Sequence, residues 1–297
     1  MPSPWTRRQL LAAFSATLAV PNPVHAAPDA AHGPRVATLD WALLETLLAI
    51  GANVVAGAEL RQFREVAVAP LVPPKVRDLG LRGTPSFEAL IHARPELIFN
   101  SNFYLSSEPS LRRIAPVETH SVYVPGESAF ALSSEAARAM GERLGLGTGR
   151  QLVEAIEAQL ERQRQILASG GDGRPVLPIN LGDARHYRVF GSDSMFGEVL
   201  VRLGLDNAWT GATAYSAMAP IGIETLATMP EAWIILILPH PVDVVETLSA
   251  SAFWNALPPV REGRVLTLGP VNPYGALPAA ARFADLLTEG LLHARNG

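Results

Sequence analysis

The chain contains no cysteine. Disulfides, thiolate metal sites and lipid-modified cysteine anchors are therefore all excluded. Lysine is nearly missing as well: Lys75 is the only one, and arginine supplies the remaining positive charge. With a formal net charge of -4 and no basic cluster interleaved with aromatics, the sequence offers no surface for nucleic acid. After the first 26 residues no uncharged apolar run approaches the ~18 residues that would span a membrane. The seven histidines are scattered, none at His-x-His or His-x-x-x-His spacing, and the carboxylates form no ligand cluster. No resident metal or cofactor is expected. Catalytic motifs are missing too: there is no Gly-x-Ser-x-Gly elbow, no His-Glu-x-x-His and no P-loop lysine. Gly145-Leu146-Gly147-Thr148-Gly149 follows a helical stretch rather than a strand and reads as a turn between helices. Asp183, His186 and Ser192 lie close in sequence, but closeness along the chain does not make a catalytic set. A hydrolase remains only a remote alternative, and the protein is expected not to be an enzyme.

What is present is enough material for two packed lobes: 297 residues, 48% of them hydrophobic. Residues 1–26 read as an export signal, with Thr6-Arg7-Arg8-Gln9-Leu10-Leu11, an apolar run from Leu10 to Val20, and Val24-His25-Ala26 as a small-residue cleavage site. Paired arginines before Leu10-Leu11 favour the twin-arginine route. A free periplasmic protein is expected.

From Arg35 to Pro125, short β-prone runs (Val36 to Leu39, Val54 to Ala56, Leu97 to Asn100) alternate with helical patterns such as Trp41 to Ile50. Such alternation predicts a parallel sheet covered by helices. It recurs after Pro175, with strand candidates Val176 to Leu181, Arg188 to Phe190, Trp233 to Leu238 and Val265 to Leu268. Between the two halves, residues 149–168 carry Leu152, Ile156, Leu160 and Leu167 on one stripe. An amphipathic helix of that length reaches ~30 Å, enough to bridge two lobes. The glycines around Asp172 end it. The expected organisation is a first lobe at 27–145, a connecting helix at 146–170 and a second lobe at 171–297. A faint repeat accompanies it: Thr84-Pro85-Ser86-Phe87-Glu88-Ala89-Leu90 is echoed by Pro220-Ile221-Gly222-Ile223-Glu224-Thr225-Leu226, each placing a glutamate at the start of a short helix. A carboxylate there complements the helix dipole whatever else it does.

Asp78-Leu79-Gly80-Leu81-Arg82, followed by Asn102-Phe103-Tyr104, resembles periplasmic binding proteins for iron(III)-hydroxamate siderophores, class III substrate-binding proteins of ABC transporters. Arg35-Val36-Ala37-Thr38-Leu39-Asp40-Trp41, Arg113-Ile114-Ala115-Pro116, Val189-Phe190-Gly191, Asn207-Ala208-Trp209 and Pro273-Tyr274-Gly275-Ala276 extend the resemblance along nearly the whole chain. It implies an α/β fold of two Rossmann-like lobes joined by one long helix, with the ligand cleft between them. It further implies a monomer that carries a ferric siderophore to an inner-membrane ABC permease with modest closure.

By the same resemblance Arg82 and Tyr104 hold the ligand, Tyr274 is a binding aromatic, Met195 an apolar wall position, and the loop of Tyr215 and Ser216 part of the pocket. Glu88 and Glu224 are the implied permease-docking residues, with Glu108 a rival on the first lobe. Trp209 is expected in the core and Trp41 in the core or on the cleft floor. The chain departs from the family where known members place tryptophans: Val66, Ser216 and Asn272 stand there, which implies a wider, less aromatic pocket. Because a hydroxamate siderophore fills the iron's six positions itself, the protein needs donors and flat apolar surface rather than metal ligands, and an arginine suits the first task. A corrinoid, haem, or a catecholate or carboxylate siderophore on the same scaffold is the alternative cargo.

Overall fold

The structure is a computed structural model that describes residues 33–170, 172–216 and 220–296. The expected export signal lies outside these residues. In the first half, five strands form one sheet: β1 (Val36–Thr38), β2 (Val54–Gly57), β3 (Arg77–Asp78), β4 (Leu97–Asn100) and β5 (Val117–Thr119). Their order is β3-β2-β1-β4-β5, with every pairing parallel. Each crossover lies over a face of the sheet, so the strand interiors are apolar: Val36, Ala37, Val54, Ala56, Ile98 and Phe99 are all buried. The order reverses between β1 and β4. Loops leaving these two strands diverge, which opens a crevice at their carboxyl ends.

The second half carries β6 (Val176–Leu181), β7 (His186–Val189), β8 (Ile221–Gly222), β9 (Trp233–Ile237) and β10 (Val265–Leu268), in the order β10-β9-β6-β7-β8. Here the repeated strand–helix reading needs a correction. β6, β9 and β10 run parallel, but β7 folds back antiparallel on β6, and β8 antiparallel on β7. The cause is local: Asp183 accepts from the backbone N–H of Arg185 and His186, fixing a tight turn that leaves no room for a crossover helix.

The connecting helix spans Thr148–Gly170 and buries Val153, Ile156, Leu160 and Leu167, a stripe at helical spacing. It packs on the helix Ala129–Arg143 from the first half and on the C-terminal helix Leu277–Asn296. Gly149 sits so close to the neighbouring backbone that a Cβ there would fall 2.3 Å from the Ala137 carbonyl oxygen, so glycine is what allows these helices to touch.

Three polar links stitch the halves together. Glu45, on the helix Trp41–Ala49, is fully buried and accepts from Asn272 Nδ2 at 2.8 Å and from the Ala276 N–H at 3.1 Å. The Tyr123 hydroxyl donates to the Gly275 carbonyl at 2.6 Å. Glu198, from the helix Met195–Arg202, accepts from Ser128 Oγ at 2.5 Å and the Ala129 N–H at 2.6 Å, so a residue of one half caps a helix of the other. One apolar cluster runs without interruption from Val36 to Leu291 through both halves. No helix among the described residues is long and apolar enough to cross a membrane.

Candidate ligand cleft

All five strands of the first sheet send a residue to the same hollow from the loop or helix start that follows their carboxyl ends. Asp40 and Trp41 follow β1, Glu59 follows β2, Arg82 and Gly83 follow β3, Phe103 and Tyr104 follow β4, and Tyr123 follows β5. Tyr274 reaches in from the second half to complete a cavity of about 490 Å3. An adjoining cavity of about 260 Å3 shares Trp41, Arg82 and Tyr274 with it and is walled by Val66 from one half and Asn180, Arg188, Phe190 and Pro239 from the other. Together they make an interlobe cleft. A hollow of about 530 Å3 near Arg35, Arg94 and Arg113 lies at the opposite end of the first sheet and holds no residue of the second half.

Trp41 forms the floor. Its Nε1–H donates to the Ala58 carbonyl at 3.0 Å, which fixes the ring, and the Arg82 guanidinium lies over it, Cζ 3.8 Å from the ring centroid. Arg82 Nε donates to Glu59 Oε2 at 2.5 Å. The guanidinium also neighbours the Tyr104 hydroxyl, so both donors face the same hollow. Asp40 caps the helix that begins at Trp41, accepting from the Ala42 and Leu43 N–H groups at 2.7 and 3.1 Å and from Ser101 Oγ at 2.7 Å. Burial pushes its carboxyl above the usual range despite those bonds and despite the charge of Arg82.

Burial, reinforced by the Asp40 charge, pushes the Tyr104 phenol up to about 12. It is a neutral hydrogen-bond donor at any physiological pH. Tyr123 is buried and raised well above the phenol range by burial first and by Glu45 and Asp40 next. Its ring meets Phe103 at 6.4 Å and Tyr274 at 6.5 Å, giving the cavity an aromatic side wall. Among the described residues no group of three or more His, Asp or Glu is placed to hold a metal ion.

Of the residues singled out from the sequence, Arg82, Tyr104 and Tyr274 share the larger cavity, and Val66 lines the smaller. Met195 is 1% exposed and packs in the core, lining neither. Tyr215 rests on Tyr123, ring centroids 5.3 Å apart, in a left-handed conformation with φ 62°, and also lines neither. Ser216 ends that turn, its side chain outside the described residues. Asn272 is turned inward to Glu45 rather than toward the cleft. The wall is aromatic in spite of the missing tryptophans, because Phe103 and Tyr123 supply rings that the sequence did not flag. Trp209 is half-buried against the second-half core. Glu88 and Glu224 are exposed, each in the first turn of a short helix, one on each half. Glu108 is occupied by Arg112 at 2.7 Å and by Thr119 at 3.3 Å.

Asp40, Glu59, Phe103 and Tyr123 were not singled out as ligand contacts from the sequence. One signal was available: Glu45 is the only charge between Trp41 and Ile50, an odd place for a carboxylate without a buried partner.

The description of periplasmic binding proteins matches residues 36–271. The chain belongs to the periplasmic binding protein family. It is a periplasmic solute-binding protein of an ABC importer, without catalytic function. The iron(3+)-hydroxamate-binding protein FhuD of Escherichia coli (strain K12) is 30% identical over 288 residues, 96% of either chain. The Fe(3+) dicitrate-binding periplasmic protein FecB of the same organism is 22% identical, covering 79% of this chain and 76% of its own. The solved structure of FhuD from Vibrio cholerae with Fe3+–Desferal shares the fold with a TM-score of 0.81 at 25% identity, over 88% of this periplasmic binding protein and 99% of that chain. The two-lobed α/β architecture with one long connecting helix is the one the sequence motifs implied.

Proposed function

We propose that this periplasmic binding protein captures ferric hydroxamate siderophores, leaves the cytoplasm by the twin-arginine route through residues 1–26, and delivers its cargo as a monomer to an inner-membrane ABC permease. The two lobes are assigned to residues 27–145 and 171–297, around the connecting segment 146–170. The observation that carries the reading is Arg82 held over the Trp41 ring beside the neutral Tyr104 phenol, inside an interlobe cavity with aromatic walls. A ferric trihydroxamate is a neutral complex whose oxygens are polarised by the metal. It wants a few strong donors and apolar area, and this cavity offers both.

Charge argues against the catecholate and carboxylate alternatives. Among the described residues the two adjoining cavities hold only two arginines, and Arg82 is paired with Glu59, which leaves Arg188 alone to draw a polyanionic complex. Haem needs a tyrosine or histidine ligand; among the described residues the cavities hold no histidine, and Tyr104 stands beside the Arg82 guanidinium. Titrating the mature chain by tryptophan fluorescence with ferrichrome-like, ferrioxamine-like, catecholate and corrinoid ligands tests the reading, since Trp41 lies under the site. Saturable quenching by the hydroxamates alone is expected. Tighter binding of a catecholate or corrinoid overturns it.

Glu88 and Glu224 are proposed to pair with permease arginines. Replacing both with Ala leaves ligand affinity unchanged, because neither lines the cleft, and lowers uptake in cells. Normal uptake refutes the docking role.

A further inference from the structure

We propose that Glu59 is a charge filter, a specificity residue through which the cleft admits neutral and cationic ferric complexes and rejects anionic ones. The inference rests on the siderophore reading above and narrows it to a charge class. Glu59 stands at the amino end of the helix Leu60–Val66, yet its side chain makes no capping bond; Asp78 Oδ2 serves the Leu60 N–H instead, at 3.1 Å. Its backbone is left-handed, φ 51° and ψ 44°, a conformation that costs free energy in any residue with a Cβ. The Glu59 N–H donates to the Gly80 carbonyl at 2.8 Å, which fixes this conformation against the loop that carries Arg82. A glutamate released from capping and held in a strained backbone has one evident use: its carboxylate reaches Arg82 Nε.

The pair is partly shielded, side chains 28% exposed for Arg82 and 16% for Glu59, so the charges act at reduced screening. Glu59 cancels Arg82. Asp40, in the same wall, is buried and held by the Ala42 and Leu43 N–H groups and by Ser101, so Glu59 is the carboxylate that meets Arg82. The donors of Arg82 therefore remain close to polarised oxygens while the paired charges deny an anionic complex the attraction that a lone guanidinium would give.

The test uses one iron-loaded linear trihydroxamate in three forms, its terminal amine free, acetylated or succinylated, so that the complexes are cationic, neutral and anionic with the same iron-binding core. Wild-type protein is titrated with each by tryptophan fluorescence at neutral pH, alongside Glu59→Gln, Glu59→Ala and Glu59→Asp, each confirmed folded by thermal melting. Wild type and Glu59→Asp are expected to bind the anionic form about tenfold more weakly than the neutral one. In Glu59→Gln and Glu59→Ala the gap closes or inverts, because Arg82 is left without its counter-charge. A merely structural role for Glu59 would weaken all three alike. Equal affinity of wild type for the anionic and neutral forms, or an undiminished gap in both neutral variants, overturns the filter alone. If none of the three binds the wild type, the hydroxamate reading falls with it.

Discussion

Replacing Arg82 with Ala lowers the affinity for a neutral ferric trihydroxamate between about tenfold and a hundredfold. A hydrogen bond to a charged group is worth ~1.5–3 kcal/mol, which sets that range. Two further effects push toward its upper end. Removing the guanidinium uncovers the Trp41 face it shields, and it leaves the Glu59 carboxylate in the cavity wall without its partner. Arg82→Lys should fall between wild type and alanine, because an ammonium keeps the charge but neither lies flat on an indole nor presents a planar fork. Titration against a ferrioxamine-type complex reads both variants, with a thermal melt to establish that the fold is intact. An affinity unchanged in Arg82→Ala removes this residue from the site and the central support for the proposed cargo with it.

The second large effect concerns Glu45 and the seam between the halves. Its carboxyl, 0% exposed, is pushed up to about 8 by burial, against the lowering by its bonds to Asn272 and Ala276. In the unfolded chain the same group titrates near 4.5. The folded protein therefore holds this proton over a window where the unfolded chain has lost it. Stability from this group is complete below about pH 4.5, declines as pH rises through the window, and is gone above about pH 8. The total is on the order of a few kcal/mol. Urea denaturation at pH 5 and at pH 8 should show the wild type weaker at the higher pH, and Glu45→Gln should flatten that slope because it has nothing to titrate. A slope identical in the variant assigns the pH dependence to other groups. Glu45→Ala, which leaves Asn272 without its acceptor and empties the space, should cost ~3 kcal/mol or more at either pH.

Much of the architecture was legible because it rests on periodicity. The parallel strands of the first sheet are runs of buried aliphatic residues, and the stripe on the connecting helix repeats at helical spacing; both are properties of neighbouring positions. The antiparallel return of β7 was not legible, since it depends on Asp183 bonding two backbone amides rather than on any hydrophobic pattern. The site divides the same way. Arg82, Tyr104 and Tyr274 sit in short motifs and surfaced through them. Asp40 reads as an ordinary helix cap, and its presence in the cavity follows only from the reversal of strand order between β1 and β4. Glu59 and Tyr123 are placed by contacts with residues 23 and 152 positions away, respectively. No local pattern encodes pairings of that range.

The links among Glu45, Tyr123, Glu198 and their opposite numbers have a meaning for traffic at the importer. On the proposed role, a receptor tied at these three places is expected to change its jaw angle little on loading, so an empty copy would present nearly the same silhouette as a full one. Empty copies would then queue at the same doorway as laden ones. Import would follow the proportion of receptors carrying iron rather than their absolute number, and making more of the protein without more siderophore would slow delivery.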